Sequence, residues 1–315
     1  MWRTEAHPHL AAELAAEVLA EVLQLVDLVA DHDGFRPVSD QVWLDLHQHL
    51  LDPADGVTAI VLSRHPDGEL AAYAQVTRTN AAWSIELVIH PAHRQHASVL
   101  ATQTLRAALQ IVTDGGGGSV QWWTFRPADH IAQVAVSVGL NAGRELLQMR
   151  RDLPLGDELT AGEPIRTRPF VVGSDEQAWL EVNNAAFHWH PEQGGWDLTA
   201  VLQRERAPWF DPSGLLMHER DGRLAGFCWT KVHSNASPPM GEIYVIAVHP
   251  DFHGLGLGKA LTVAGLQSLT ARGLSVGMLH VDADNISAVS LYRRLGFHTD
   301  HTDRVYVGHI ERTTA

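Results

Sequence analysis

A mixed α/β fold, built twice in tandem, is what the sequence predicts, and three observations carry the prediction. The 315 residues suit two domains of ordinary size. Glu86–Pro91, an apolar run ending in His-Pro, is matched by Tyr244–Pro250, and Ala135–Leu140 by Tyr292–Phe297, both at a spacing of about 158 residues. Within each copy, short apolar runs alternate with helical patterns, the mark of an α/β or α+β domain with a mixed sheet and helices on both faces. Pro, Gly and acidic residues in Leu153–Pro164 read as a linker. The expected domains are therefore 1–152 and 165–315.

Composition narrows the function. Lys plus Arg total 23 and Asp plus Glu 37, a formal charge of −14. Sequence-independent nucleic-acid binding runs on Lys and Arg, so no nucleic-acid partner is expected. Hydrophobic residues at 45% and charged residues at 19% describe an ordinary globular chain. A lone cysteine, Cys228, cannot form an intramolecular disulfide, so a reducing compartment is the default. No apolar run is long enough to span a bilayer. His9–Asp31 is apolar, but Glu13, Glu17 and Glu21 line one helical face, unlike the uninterrupted core of a secretory signal. A cytoplasmic monomer with no membrane partner is expected.

In the C-terminal half, Ile165–Phe170 reads as a strand, and Asp175–Phe187 and Thr199–Ala207 read as helices. Leu215–Glu219 and Leu224–Lys231 flank an Asp-Gly turn and read as a hairpin. Glu242–Val248 alternates little and reads as a strand buried on both faces. Helix Gly256–Arg272, strand Val276–Val281, helix Ser287–Leu295 and a last strand Arg304–His309 follow. The N-terminal half runs similarly: helices, strands at Val57, Leu70 and Trp83, a helix after Arg94, a Gly115–Gly118 loop and a strand Val120–Phe125.

The sharpest motif is His253-Gly-Leu-Gly-Leu-Gly-Lys259, between that buried strand and a helix. Glycines let the backbone approach a ligand, and a helix N-terminus aims N–H groups and a positive dipole end at an anion, a pyrophosphate above all. A Walker-type loop fails, because it needs Gly at His253 and Ser or Thr at Ala260. A dinucleotide fingerprint fails at its last glycine, where Lys259 stands. The segment instead resembles the pyrophosphate loop of the GNAT acetyltransferases, with His253 in place of the usual Gln or Arg. The strand ending before His249-Pro250, then Asp284-Asn285, Ala288, Tyr292 and Leu295-Gly-Phe297, are similar to that family's later motifs in order and spacing.

Further segments resemble the mycothiol-forming tandem branch of that family: Asn183–Phe187, His190–Trp196, Trp209–Pro212, Trp229–His233, Gly241–Val245 and Leu146–Arg150. The resemblance implies two tandem acetyltransferase domains, acetyl-CoA as co-substrate, and acetylation of the cysteine amine of Cys-GlcN-Ins, a small thiol-amine sugar. It implies Glu242 as general base and Tyr292 as the acid for the CoA thiolate. It places acetyl-CoA at Ile246, Ala247 and Val248, at His253, Gly254, Leu255, Gly256, Leu257, Gly258 and Lys259, and at Asn285, Ile286, Ser287, Ala288, Val289 and Ser290. It places the acceptor at Asp40, Glu192, Lys231, Glu242 and His280, with His280 standing where other members carry Tyr. In the first half, Leu87, Val88 and Ile89 correspond to a cofactor strand, but His93–Val99 has no glycine, and Ala135 and Ala128 stand for Tyr292 and Asn285. That half is expected to be structural.

Twenty histidines raise a metal question, yet none forms His-Glu-x-x-His and one cysteine is present, so no metal is expected. Trp189, Trp196, Trp209 and Trp229 suit either a sugar-stacking wall or a core. Two other functions remain open on these residues: a tandem acetyltransferase for another small amine, and a non-catalytic acetyl-CoA sensor.

Overall fold

The computed structural model describes residues 2–7, 12–47, 57–78, 82–160, 164–188, 193–234 and 236–312. The chain divides into two compact units, Met1–Leu146 with Thr302–Ala315, and Leu147–His301. These bounds differ from the expected 1–152 and 165–315, because the last strand pairs with residues of the first half.

The first unit contains β1 (Arg3–His7), α1 (Ala12–Asp33), α2 (Asp40–His47), β2 (Val57–Arg64), β3 (Leu70–Arg78), β4 (Trp83–Ile89), α3 (Ala97–Asp114), β5 (Gly118–Thr124) and α4 (Ile131–Ser137). β1 to β4 pair antiparallel in succession, and β4 pairs parallel with β5. On its other edge β5 takes the C-terminal strand: Arg304–Ile310 runs antiparallel to Thr124–Gly118. α3 buries Ala97, Leu100, Ala101, Leu105, Ala108 and Val112 against Val61, Ala74, Ile85 and Trp122, and its alanines let the helix lie close to the sheet.

β6 (Asn141–Asp152) is divided between the units at Leu147. The second unit continues with α5 (Asp157–Thr160), β7 (Arg168–Pro169), α6 (Glu176–Ala186), α7 (Leu198–Glu205), β8 (Leu215–Arg220), β9 (Arg223–His233), β10 (Met240–Val248), α8 (Leu257–Ala271), β11 (Val276–Asp282), α9 (Ile286–Arg294) and β12 (His298–Ile310), which enters the first unit at Thr302. Strands β7 to β10 pair antiparallel in succession, β10 pairs parallel with β11, and β6 lies beyond β11. The expected strand Ile165–Phe170 shrinks to Arg168–Pro169. Pro169 has no N–H for the ladder, and the chain then turns as Asp175 accepts the Val171 N–H at 2.8 Å. The β8–β9 turn follows its sequence: Asp221 and Gly222 take φ of 53° and 74°, as a two-residue hairpin turn requires.

Two cores flank the second sheet. One joins Ile243, Leu261, Leu266, Leu269, Leu279 and Phe297 on the α8 side. The other joins Trp179, Phe227, Trp229, Val245 and Ala247 on the α6 side. Alternation along β10 changes phase because its register against β9 shifts between Ile243 and Val245. The extra residue, Tyr244, is a β-bulge. Gly265 of α8 is required by space: a Cβ there would lie 2.5 Å from Cys228 Sγ and 2.6 Å from Ile243 Cδ1.

A candidate acetyl-transfer site in the second unit

Glu242 begins the middle of β10 and is only 6% exposed. In register it faces Lys231 on β9 and Met278 on β11. Side chains two apart on a strand share a face, so His233 and His280 flank it. Oε2 of Glu242 lies 2.7 Å from His233 Nε2, and Oε1 lies 3.1 Å from His280 Nδ1. Burial pushes this carboxyl up, but the hydrogen bonds and charge of His233 and His280 outweigh it and hold the group well below the usual carboxylate range. Glu242 is therefore an anion at neutral pH.

Lys231, buried beside it, sets its ammonium 4.4 Å from the ring centre of Trp209 and 5.1 Å from that of Tyr244. The tryptophans are largely core. Trp179 and Trp229 are buried, and Trp209 packs on Trp229 and Tyr244 with ring centres 5.9 and 5.0 Å away. Trp196 carries Arg204 at 3.9 Å over its ring. Glu192 and Trp189 lie outside the described residues.

Beyond Glu242 the strands part. The parallel β10–β11 register ends at Ile243 and Leu279, while β10 continues to Val248 and β11 to Asp282. Ile246, Ala247 and Val248 thus lie where β10 has left its parallel partner. His249 Nδ1 accepts the Asp251 N–H at 3.2 Å and turns the chain toward the glycine loop. There His253 Nε2 lies 3.1 Å from the Val248 carbonyl oxygen. Gly254 and Gly256 adopt φ of 79° and 74°, and a Cβ on either would meet nothing within 4 Å, so the space above the loop is open. Gly256 is the N-cap of α8 and supplies no side-chain cap. Leu255 is exposed, Leu257 is buried against Ala225 and Phe252, and Gly258 and Lys259 continue the first turn of α8. An open, side-chain-free helix N-terminus fits a pyrophosphate.

α9 follows β11. Asn285 caps it by accepting the Ala288 N–H at 3.2 Å, and Ser287 Oγ donates to the same oxygen at 3.1 Å. Ile286 is exposed, Val289 is buried, and Ser290 Oγ accepts from Arg294 at 2.7 Å. Tyr292, buried and edge-on to Phe297 at 5.8 Å, has its phenol pushed above its ordinary value by burial, with the nearby Cys228 adding to the effect. It keeps its proton at neutral pH. Cys228 is buried, and its thiol is pushed up to about 12 by burial.

Sequence reasoning named His280 but missed three partners. Gln148 Nε2 lies 3.2 Å from His280 Nε2, Arg150 donates from Nε to Gln148 Oε1 at 2.9 Å, and His233 holds the second Glu242 oxygen. His233 was visible in principle, two residues beyond Lys231. Gln148 and Arg150 lie in the segment Leu146–Arg150 that resembles the family, but nothing in the sequence ties that distant segment to His280.

Four expected positions fall in the first unit. Asp40 starts α2 and is ion-paired with Arg36. Val88 is buried in the core beneath α1, and Leu87 and Ile89 pack partly buried against the α3 core. Here β4 pairs with β3 without a register shift, so the bulge of β10 has no counterpart. Ala135, at the place of Tyr292, is fully buried. A cavity of about 280 Å³ lined by Arg94, Gln95, His96, Ser98 and His130 occupies the loop position, with Arg94 tied to Asp33 at 2.5 Å. Glu69, His90 and His93 cluster closely enough to suggest a metal. However, His90 Nδ1 accepts the Ala92 N–H at 3.1 Å, which leaves the proton on Nε2, the nitrogen that would have to bind.

Among the described residues, no helix is long and apolar enough to cross a membrane. Residues 179–297 match the acetyltransferase (GNAT) family. A mycothiol acetyltransferase of Streptomyces bingchenggensis is 43% identical over 298 residues, covering 90% of this chain and 91% of the relative. One from Streptomyces coelicolor is 44% identical over 308 residues, covering 94% and 93%. A tandem GNAT protein from the clavulanic acid biosynthesis pathway superposes with a TM-score of 0.69 at 15% identity, covering 99% of this chain and all of the other, a likeness of fold. The chain belongs to the mycothiol acetyltransferases, a family of GNAT enzymes.

Proposed function

We propose that the chain transfers the acetyl group of acetyl-CoA to the cysteine amine of Cys-GlcN-Ins, giving mycothiol. The observation that supports this reading most strongly is a buried, ionised Glu242 between two imidazoles, at the point where β10 parts from β11, in a chain over 40% identical to named mycothiol acetyltransferases along nearly its whole length. The N–H groups of Ile246–Val248 orient the thioester and pantetheine. The loop from His253 to Lys259 and the cap of α9 from Asn285 to Ser290 hold the phosphates. Glu242 draws the acceptor ammonium in and sits beside it as a proton leaves, directly or through solvent. A cysteine-like α-amine has a pKa near 7.7–8.0, so only a mild base is needed. Tyr292 gives its proton to the CoA sulfur as the C–S bond breaks. Lys231 and His280, with Glu192 and Asp40, take the sugar and the remaining polar groups. The first unit is structural in this scheme. The reaction belongs in the cytoplasm, where acetyl-CoA is at hand, and a monomer suffices.

Tyr292→Phe and Glu242→Gln test this scheme. Each is expected to lower kcat about 100-fold or more while acetyl-CoA still binds. Retained turnover in both variants would overturn the residue roles.

A further inference from the structure

Resting on that reading, we infer that His233, oriented by Glu242, is the group on which the acceptor's proton rests during acetyl transfer. The geometry separates the two imidazoles at Glu242. Arg150 only donates, so its hydrogen bond fixes the carbonyl end of the Gln148 amide toward itself and the NH2 end toward His280. His280 Nε2 then accepts from Gln148, and its Nδ1–H donates to Glu242. A proton added at His280 Nε2 would face the Gln148 N–H, so this nitrogen is not placed to take the acceptor's proton. His280 acts as a positioning residue.

His233 is different. A carboxylate accepts only, so Nε2 of His233 carries the proton toward Glu242 Oε2 at 2.7 Å. Its side chain is 27% exposed and that of His280 31%, but His280 Nε2 is held by Gln148, whereas among the described residues no hydrogen bond engages His233 Nδ1. His233 is the member of the trio with an open ring nitrogen to exchange a proton with solvent. The carboxylate stabilises the imidazolium that forms, the logic of a carboxylate–histidine pair. Glu242 is held well below the usual range and keeps no proton itself at neutral pH. Among the described residues, the titratable or charged groups near the pair include Lys231 on β9, His280 on β11, His301 on β12 within 4.8 Å of His280, and, behind Gln148, Arg150 on β6 with Asp300 at 3.2 Å.

The step balances as follows. The amine lone pair forms the N–C bond, and the C–S bond breaks with its electrons leaving on sulfur, which takes the Tyr292 proton. The amine proton passes through solvent to His233 Nδ1. The imidazolium then releases it to bulk water, and Tyr292 is reprotonated from solvent.

The test is the pH profile of kcat/KM for Cys-GlcN-Ins in the full chain. His233→Gln keeps a donor toward Glu242 but cannot titrate. It is expected to lower kcat about 100-fold, leave the acetyl-CoA KM unchanged, remove the acid limb of the profile, and be rescued by added imidazole. His280→Gln is expected to keep the limb. A His233→Gln enzyme that retains the limb, or loses activity without rescue, overturns the inference. If the wild-type chain binds acetyl-CoA but acetylates no amine, the functional reading fails instead. Nitrogen-15 NMR of the His233 ring still decides the pair: an Nε2–H tautomer that changes in Glu242→Gln supports it, and an Nδ1–H tautomer contradicts it.

Discussion

At the scale of single residues, Glu242 and Cys228 show how burial and partners oppose each other. Both are buried, yet the carboxyl falls well below its usual range and the thiol rises, because only Glu242 has donors. Two outcomes follow. Folding stability contributed by ionised Glu242 is fully present above the unfolded carboxyl value of about 4.3 and is lost as pH falls through its lower folded value. Denaturant unfolding measured from pH 7 down to 3 is expected to show a smaller acid loss in Glu242→Gln than in the wild type. An aromatic disulfide reagent should leave Cys228 unmodified in the folded chain and react fully in denaturant, since the thiolate is the nucleophile.

At the scale of elements, the site depends on places where regular structure gives way. The Tyr244 bulge changes the phase of β10, so Glu242 shares a face with Val245 and Ala247 while Ile243 and Ile246 turn toward α8. The close approach of α8 depends on Gly265, and the openness of the loop on Gly254 and Gly256. Gly265→Leu is expected to lower the melting temperature by several degrees, because a side chain there must displace Cys228 and Ile243. Gly256→Ala should cost about 1–2 kcal/mol from its positive φ and raise the acetyl-CoA KM, as read by chemical unfolding and steady-state kinetics. The strand–loop–helix order around His253–Lys259 was legible because glycine and apolar patterns are local. The bulge was not, since the register of β9 against β10 is set across the hairpin. The Gln148–Arg150 support of His280 was invisible for the same reason: β6 joins β11 from far away in the chain.

At the scale of the whole molecule, the duplication was legible from its repeated His-Pro landmarks. The division of the chain was not. Local patterns end the second repeat with Arg304–His309, but these residues complete the first unit's sheet beside β5, and β6 from Leu147 onward belongs to the second. Backbone pairing carries almost no side-chain code, so which edge a final strand joins is decided by tertiary context. A chain ending at His301 is expected to lose hydrogen-exchange protection at Gly118–Thr124 first, with β9 and β10 protected for longer. The two units also differ at corresponding positions. The first has Ala135 at the place of Tyr292 and an unbulged β4, whereas the second keeps Glu242, Tyr292 and the open glycine loop. The most direct measurement is acetyl-CoA-dependent turnover of Cys-GlcN-Ins, with the N-acetyl product read by mass, beside free cysteine, polyamines and aminoglycosides. Selective acetylation of Cys-GlcN-Ins is the expected result, and CoA release on another amine with none on Cys-GlcN-Ins would contradict it.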